Sequence, residues 1–336
     1  MKEEWKKKIG GLFMVGLPGM ELDDSTRVLV REHGVNDFIL FKRNARDPEQ
    51  LQGLCRELSL ACAAAGLPAP LIAIDQEGGT VARLKAPHFS EFADARALAA
   101  DERAAELLAG YARTCARELL AVGVNMNLAP VLDVCPAGQG LVMERRSLGE
   151  DPQRVARLGA LVIGEMQGQG LAACAKHFPG LGAVTLDPHQ VRPVIPRSRS
   201  ELERGDLPPF RAAIGAGVAA IMTSHTVYPH LDRDNPATLS AKILGGLLRR
   251  DLAYDGLVIT DDLEMGAIEK EGSVAAAALA AFLAGADMLL ICEDHAKALA
   301  AWEALCSAAD GGLISPRRLQ MSLARIAAVR ARFARG

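Results

Sequence analysis

A closed parallel α/β sheet in a single domain, the TIM (β/α)8 barrel, is the fold this sequence predicts, and three observations predict it. Eight apolar runs of strand length recur along 336 residues, with helical patterns between them. The runs are apolar throughout rather than alternating, as expected of parallel strands buried on both faces. No G-x-G-x-x-G or G-x-x-x-x-G-K-[ST] follows any run, which disfavours the competing doubly wound open sheet. Eight strands and this length fit a barrel with insertions.

The first run is LFMVGL (12–17), after the charged start MKEEWKKKIGG. VNDFILF (35–41) is the second, and helix 47–65 follows it. PLIAID (70–75) precedes helix 102–121, and VNMNLAPVLDV (124–134) precedes helix 152–169. LAACAKHF (171–178) leads to helix 199–215, VAAIMTSH (218–225) to helix 240–251, and GLVITD (256–261) to helix 273–284. The eighth run, DMLLIC (287–292), is followed by a last amphipathic helix at about 316–334. Ser315-Pro316 opens it, a serine that can cap and a proline suited to the first turn. No linker, low-complexity stretch or charge block divides the chain, so residues 1–336 are expected to form one barrel domain.

Composition narrows the function. The net charge is −3 and aromatic residues make up 4%, so neither a basic field nor stacking platforms point to nucleic acid. Seven scattered cysteines without a CxxC pair read as buried free thiols of a reducing compartment. The first apolar stretch is broken by Gly10, Gly11, Gly16 and Pro18, and it lacks the pattern of a signal peptide. The Ala-rich stretch 274–286 stops at Asp287 before it could span a bilayer. A soluble cytoplasmic protein without membrane contact is expected.

A barrel gathers polar residues from the C-terminal ends of its strands at one mouth. Those ends carry Lys42-Arg43-Asn44, Asp75-Gln76-Glu77, Asp133, Lys176-His177, Ser224-His225 and Asp261-Asp262. Asp75, Arg83 and Arg146 could hold sugar hydroxyls, since a carboxylate accepts vicinal hydroxyls and an arginine donates in a fork. A helix-capping acid with solvated arginines would read the same way. Lys176 and His177 are further donors, or a snorkelling lysine and a core histidine. For His225 the structural role is favoured, and His33, His88, His230 and His295 read as surface residues. Asp187 and His189, two apart in the Gly/Pro-rich KHFPGLGAVTLDPH (176–189), form an acid–base pair if the aspartate orients the imidazole. A turn with a solvated histidine is the alternative. A metal site from Asp75, His177, His225 and Asp261 is disfavoured, because the first run offers no ligands.

Together, FILFKRN (38–44), IAIDQEGGTVARL (72–84), NLAPVLDV (127–134), RRSLGEDP (145–152), KHFPGLGAVTLDPH, MTSHTVYP (222–229) and LVITDDLEMGAI (257–268) resemble glycoside hydrolase family 3. Within it they are most similar to the single-domain bacterial β-N-acetylglucosaminidases of peptidoglycan recycling. The resemblance implies retention through a covalent glycosyl-enzyme. It makes Asp261 the nucleophile, His189 the general acid/base and Asp187 its partner. It also implies that Asp75, Arg83, Arg146, Lys176 and His177 hold the terminal N-acetylglucosamine, with Asp262 in support. Two positions depart from the family's KHFPGHG and DSH: Leu181 stands for the second histidine and Pro188 for the serine.

The expected protein is therefore a monomeric exo-β-N-acetylglucosaminidase needing no cofactor and no metal. Its expected substrate is a GlcNAc-containing muropeptide fragment. A family 3 β-glycosidase of other specificity, a phosphorolytic enzyme and a catalytically silent sugar-binding barrel are the alternatives.

Overall fold

A computed structural model describes residues 3–184, 193–269 and 272–334. Eight parallel strands form the sheet: β1 (Phe13–Gly16), β2 (Asp37–Leu40), β3 (Ile72–Ile74), β4 (Met126–Asn127), β5 (Ala172–Phe178), β6 (Ala220–Thr223), β7 (Leu257–Ile259) and β8 (Leu289–Ile291). They pair in chain order from β1 to β7, and β8 pairs with β1. A parallel bridge between Ile259 and Met288, with the Thr260 N–H donating to the Met288 carbonyl at 3.0 Å, closes the ring. The expected TIM barrel is the observed fold.

The eight predicted runs all contain strands, and their residues are buried. The fourth strand is much shorter than its run. Pro130 lacks an N–H, so regular ladder pairing stops early. Contact with β5 continues irregularly through the Leu132 N–H to the Lys176 carbonyl at 2.6 Å. Asp133 is thereby carried to the barrel mouth.

The helices start where side chains cap them. Asp47 accepts from the Gln50 N–H before Pro48–Ala64, and Asp151 from the Gln153 N–H before Pro152–Gly168. Ser315 accepts from the Arg318 N–H before Pro316–Phe333. In each case proline occupies the first turn, where its missing N–H is harmless; each cap stabilises its helix by about 1 kcal/mol. Two helices replace the single one expected at 199–215. Arg199–Gly205 and Leu207–Gly215 meet at Asp206, with Pro208 and Pro209 opening the second.

The C-terminal helix Pro316–Phe333 lies across the end of the barrel opposite the mouth. The fully buried Asp287 accepts from Ser322 at 2.6 Å and pairs with Arg325 at 3.2 Å and with Arg249. Arg330 reaches Asp37 at the start of β2 at 2.9 Å. These ion pairs hold the helix against that end of the barrel. Among the described residues no helix is long and apolar enough to cross a membrane.

Candidate active site

A cavity of about 280 Å³ opens at the C-terminal ends of the strands. Asp75, Arg83, Arg146, Lys176, His177, Asp261 and Asp262 all line it, so the structure gathers every described candidate into one pocket. Asp187 and His189 lie outside the described residues. Phe41, Leu128, Val142, Met143, Leu181, Met265 and Cys292 supply the apolar part of the wall.

Asp75 follows β3 directly, and a tight hairpin (Gln76–Gly78 paired with Val81–Ala82) then returns the chain. Gly79 turns that hairpin with φ +53°, and a β-carbon there would collide with the Asp94 carboxylate, so the position requires glycine. The return places Arg83 beside Asp75, with its Nη2 donating to Oδ2 at 3.1 Å. The Gln76 side chain fixes the turn by accepting from the Arg83 and Leu84 N–H groups. Arg83 Nε is buried without a hydrogen-bond partner among the described residues.

Lys176, near the end of β5, lies between two carboxylates. Its Nζ is 2.7 Å from Asp75 Oδ1 and 2.6 Å from Glu77 Oε1. Arg146, from the connection after β4, grips Glu77 in a fork at 2.8 and 2.7 Å. Burial alone would raise both carboxyls. The Lys176 ammonium, with Arg83 beside Asp75 and Arg146 beside Glu77, outweighs it. Asp75 is held well below the usual carboxylate range and Glu77 at about 2. Burial disfavours the Lys176 charge, but Asp75 and Glu77 reverse this and raise its pKa. The four-charge network is therefore ionised across the physiological range. Glu77 was legible at the end of the third run, yet its bond to Arg146 was not.

His177 is aimed by Asp133, a buried residue that the sequence marked only as a strand end. Asp133 Oδ2 meets His177 Nδ1 at 2.8 Å, and Oδ1 accepts from the His177 N–H at 3.3 Å and the Leu181 N–H at 2.6 Å. With Nδ1 engaged, Nε2 is the ring nitrogen left to face a ligand. Leu181 is itself buried against the cavity, and its amide anchors the Pro/Gly stretch where the family pattern has a histidine.

At the end of β7, the Asp262 N–H donates to Asp261 Oδ1 at 2.9 Å, and the Glu264 N–H to Asp262 Oδ1 at 3.1 Å. His225 does not line the cavity. Its Nε2 donates to the Asp262 carbonyl at 2.8 Å, and its Nδ1 meets Thr238 at 2.8 Å, so it braces this turn. Burial, reinforced by Glu264 and Asp261, pushes the Asp262 carboxyl up to about 7.

Other strand-end residues do not converge on the site. Arg43 donates to the Leu17 and Cys292 carbonyls at 2.8 and 2.6 Å, and Asn44 to the Leu17 and Gly19 carbonyls at 3.0 and 2.7 Å. They tie the loops after β1, β2 and β8 together. His33 and His295 are not simple surface residues either. His33 packs edge-on against Trp302 at 4.5 Å, and His295 Nε2 donates to the Gly16 carbonyl at 2.8 Å. His88 and His230 are exposed. Among the described residues no cluster of histidine, cysteine or acidic side chains could hold a metal ion.

The chain is 41% identical over 287 residues to a Beta-hexosaminidase of Thiobacillus denitrificans, covering 84% of this chain and 78% of that protein. A Beta-hexosaminidase of Pseudomonas aeruginosa is 38% identical over 295 residues, covering 88% and 86%. The structure of a glycoside hydrolase family 3 β-N-acetylglucosaminidase from Paenibacillus sp. str. FPU-7 matches with a TM-score of 0.93 at 41% identity. That match covers 98% of this chain but 62% of the Paenibacillus chain, so this chain spans less than two thirds of that protein's length. Native NagZ from Neisseria gonorrhoeae matches with a TM-score of 0.76 at 29% identity, covering 95% and 97%. A barrel whose mouth combines this ion network with paired carboxylates, among such relatives, is a glycoside hydrolase. Residues 5–329 match the glycosyl hydrolase family 3 N terminal domain, and the chain belongs to that family.

Proposed function

We propose that this protein is a retaining exo-β-N-acetylglucosaminidase that removes terminal GlcNAc from peptidoglycan-derived (anhydro)muramyl fragments. The observation that carries this reading is the placement of Asp261 in the same cavity as the Asp75–Lys176–Glu77–Arg146 network. The network presents fixed donors and acceptors to one sugar ring, with Asp75, Arg83, Arg146, Lys176 and His177 as the sugar-holding groups. Asp261 attacks the anomeric carbon, and His189, oriented by Asp187, protonates the leaving oxygen and then activates water. A histidine that has given up its proton is neutral and does not repel the carboxylate beside it. The similarity to proteins named Beta-hexosaminidase and β-N-acetylglucosaminidase supports the amino-sugar specificity.

The natural fragment, a monomeric state and a cytoplasmic location belong to the same proposal. All seven cysteines are buried, as suits a reducing compartment. The test is release of p-nitrophenol from p-nitrophenyl β-N-acetylglucosaminide, with glucoside and xyloside as controls. Turnover that collapses in Asp261→Asn and falls strongly in His189→Ala supports both roles. A folded wild type inactive on all three substrates removes the hydrolase mechanism and leaves a silent sugar-binding barrel. Release of a sugar 1-phosphate in phosphate buffer identifies a phosphorolytic enzyme instead.

A further inference from the structure

The Asp206 carboxylate is a buried titratable group that neither the fold nor the sugar-binding network accounts for. It is 1% exposed and stands where the expected helix 199–215 breaks in two. It caps neither half with its side chain. Its Oδ2 is bonded to the Arg197 guanidinium, and its Oδ1 is buried without a partner among the described residues. A group this costly to bury needs a reason.

Its neighbours supply one. A β-carbon at Gly180 would lie 2.6 Å from the Asp206 β-carbon and 2.9 Å from Oδ1, so the carboxylate packs directly on the Gly180 backbone. Gly180 has φ +133°, and its absent side chain is what admits Asp206. Asp206 therefore touches the chain on both sides of residues 185–192: Gly180 before them and Arg197 after them. The adjacent residues Val227 and Tyr228 do the same. The buried Tyr228 hydroxyl donates to the Gly180 carbonyl at 2.7 Å. The Val227 N–H donates to the Pro193 carbonyl, and the Val227 carbonyl accepts from the Ile195 N–H, both at 2.9 Å.

We infer that Asp206, with Arg197 and Tyr228, is a positioning clasp that holds together the two ends of the segment carrying Asp187 and His189 and so aligns proton transfer to the leaving group. The inference rests on the proposed role of His189 as proton donor. None of the three residues lines the sugar cavity, so each acts through the segment and not on the substrate. Burial pushes the Asp206 carboxyl up to about 6 against the pull of Arg197, in keeping with a charge held for geometry at some cost.

The leaving group separates a positioning role from a merely structural one. A 2,4-dinitrophenyl N-acetylglucosaminide departs without protonation, whereas a phenyl N-acetylglucosaminide needs the acid. Asp206→Asn and Tyr228→Phe, each confirmed as folded by thermal melting, are compared with wild type and His189→Ala on both substrates. The expected result is a loss in kcat/KM on the order of 10-fold or more on the phenyl glycoside, a fraction of a general acid's full contribution. The loss on the dinitrophenyl glycoside is expected to be small. Tyr228→Phe removes one hydroxyl, so it carries the test if Asp206→Asn does not fold. Equal losses on both substrates in the clasp variants, with a leaving-group-dependent loss in His189→Ala, overturn the clasp alone. Equal losses in His189→Ala overturn the proton-donor role and the clasp with it.

Discussion

The Lys176 ammonium lies 2.7 Å from the Asp75 carboxylate across 101 positions of sequence. Neither partner could be buried alone, because an isolated charge in the barrel mouth would lose its hydration without return. With Glu77, Arg146 and Arg83 added, two carboxylates meet one ammonium and two guanidiniums. Each charge of the cluster is therefore met by a partner within the protein.

Replacing Lys176 by methionine keeps most of its length and removes its charge. Asp75 and Glu77 then face each other with only Arg83 and Arg146 as partners. We expect destabilisation of about 3 kcal/mol, the low end for breaking a buried ion pair, since each carboxylate retains one cation. Urea denaturation measures it, and an unchanged midpoint contradicts the network's structural role.

Asp261→Asn preserves volume and removes the charge of the proposed nucleophile. Turnover of an aryl N-acetylglucosaminide is expected to fall on the order of 10⁶-fold, the scale of losing a covalent nucleophile. Binding of free N-acetylglucosamine, followed by calorimetry, is expected to persist, because the holding residues are untouched.

Asp262 has a pH signature. Its folded pKa of about 7 lies above the ordinary value of 3.8, chiefly through burial. The folded state then keeps a proton that the unfolded chain has lost, so this group lowers stability as pH rises from about 4 to about 7. Asp262→Asn removes that penalty. The variant's gain in melting temperature over wild type is expected to grow across this window and level off above pH 7. A gain that shrinks with rising pH would falsify the assignment. Glu77 works in the opposite sense. Its folded value of about 2 contributes stability at neutral pH, and that contribution is lost as pH falls from about 4.5 to about 2.

Asp133→Ala leaves His177 unaimed and strands the buried Leu181 amide. Loss of hydrogen bonds to a charged acceptor predicts about 2 kcal/mol of destabilisation. KM is expected to rise as His177 loses its orientation. Steady-state kinetics beside chemical denaturation read both effects.

The thiols test the compartment and the packing together. Burial raises Cys55, Cys62 and Cys174 to about 12 and Cys135 to about 11. Thiolates are the reactive form, so a native sample at pH 8 is expected to resist a disulfide reagent. All seven are expected to react after denaturation, and fewer than seven would mean that some are paired.

The barrel was legible in the chain's pattern, because parallel strands buried on both faces need unbroken apolar runs, and eight of them with helices between leave little topological choice. The same pattern also marked Asp75, Lys176, His177 and Asp261, because ionisable groups at the ends of buried strands stand out against their apolar neighbours. Tertiary structure alone decided who pairs with whom. That Arg83 takes Asp75 while Arg146 takes Glu77, that Asp133 aims His177, and that Arg43 and Asn44 turn away to bind loop carbonyls are facts of three-dimensional distance. The break at Asp206 was hidden for the same reason. Local pattern reports which face of an element is apolar, whereas a buried charge is tolerated only where a distant partner happens to meet it, and no periodicity encodes that meeting.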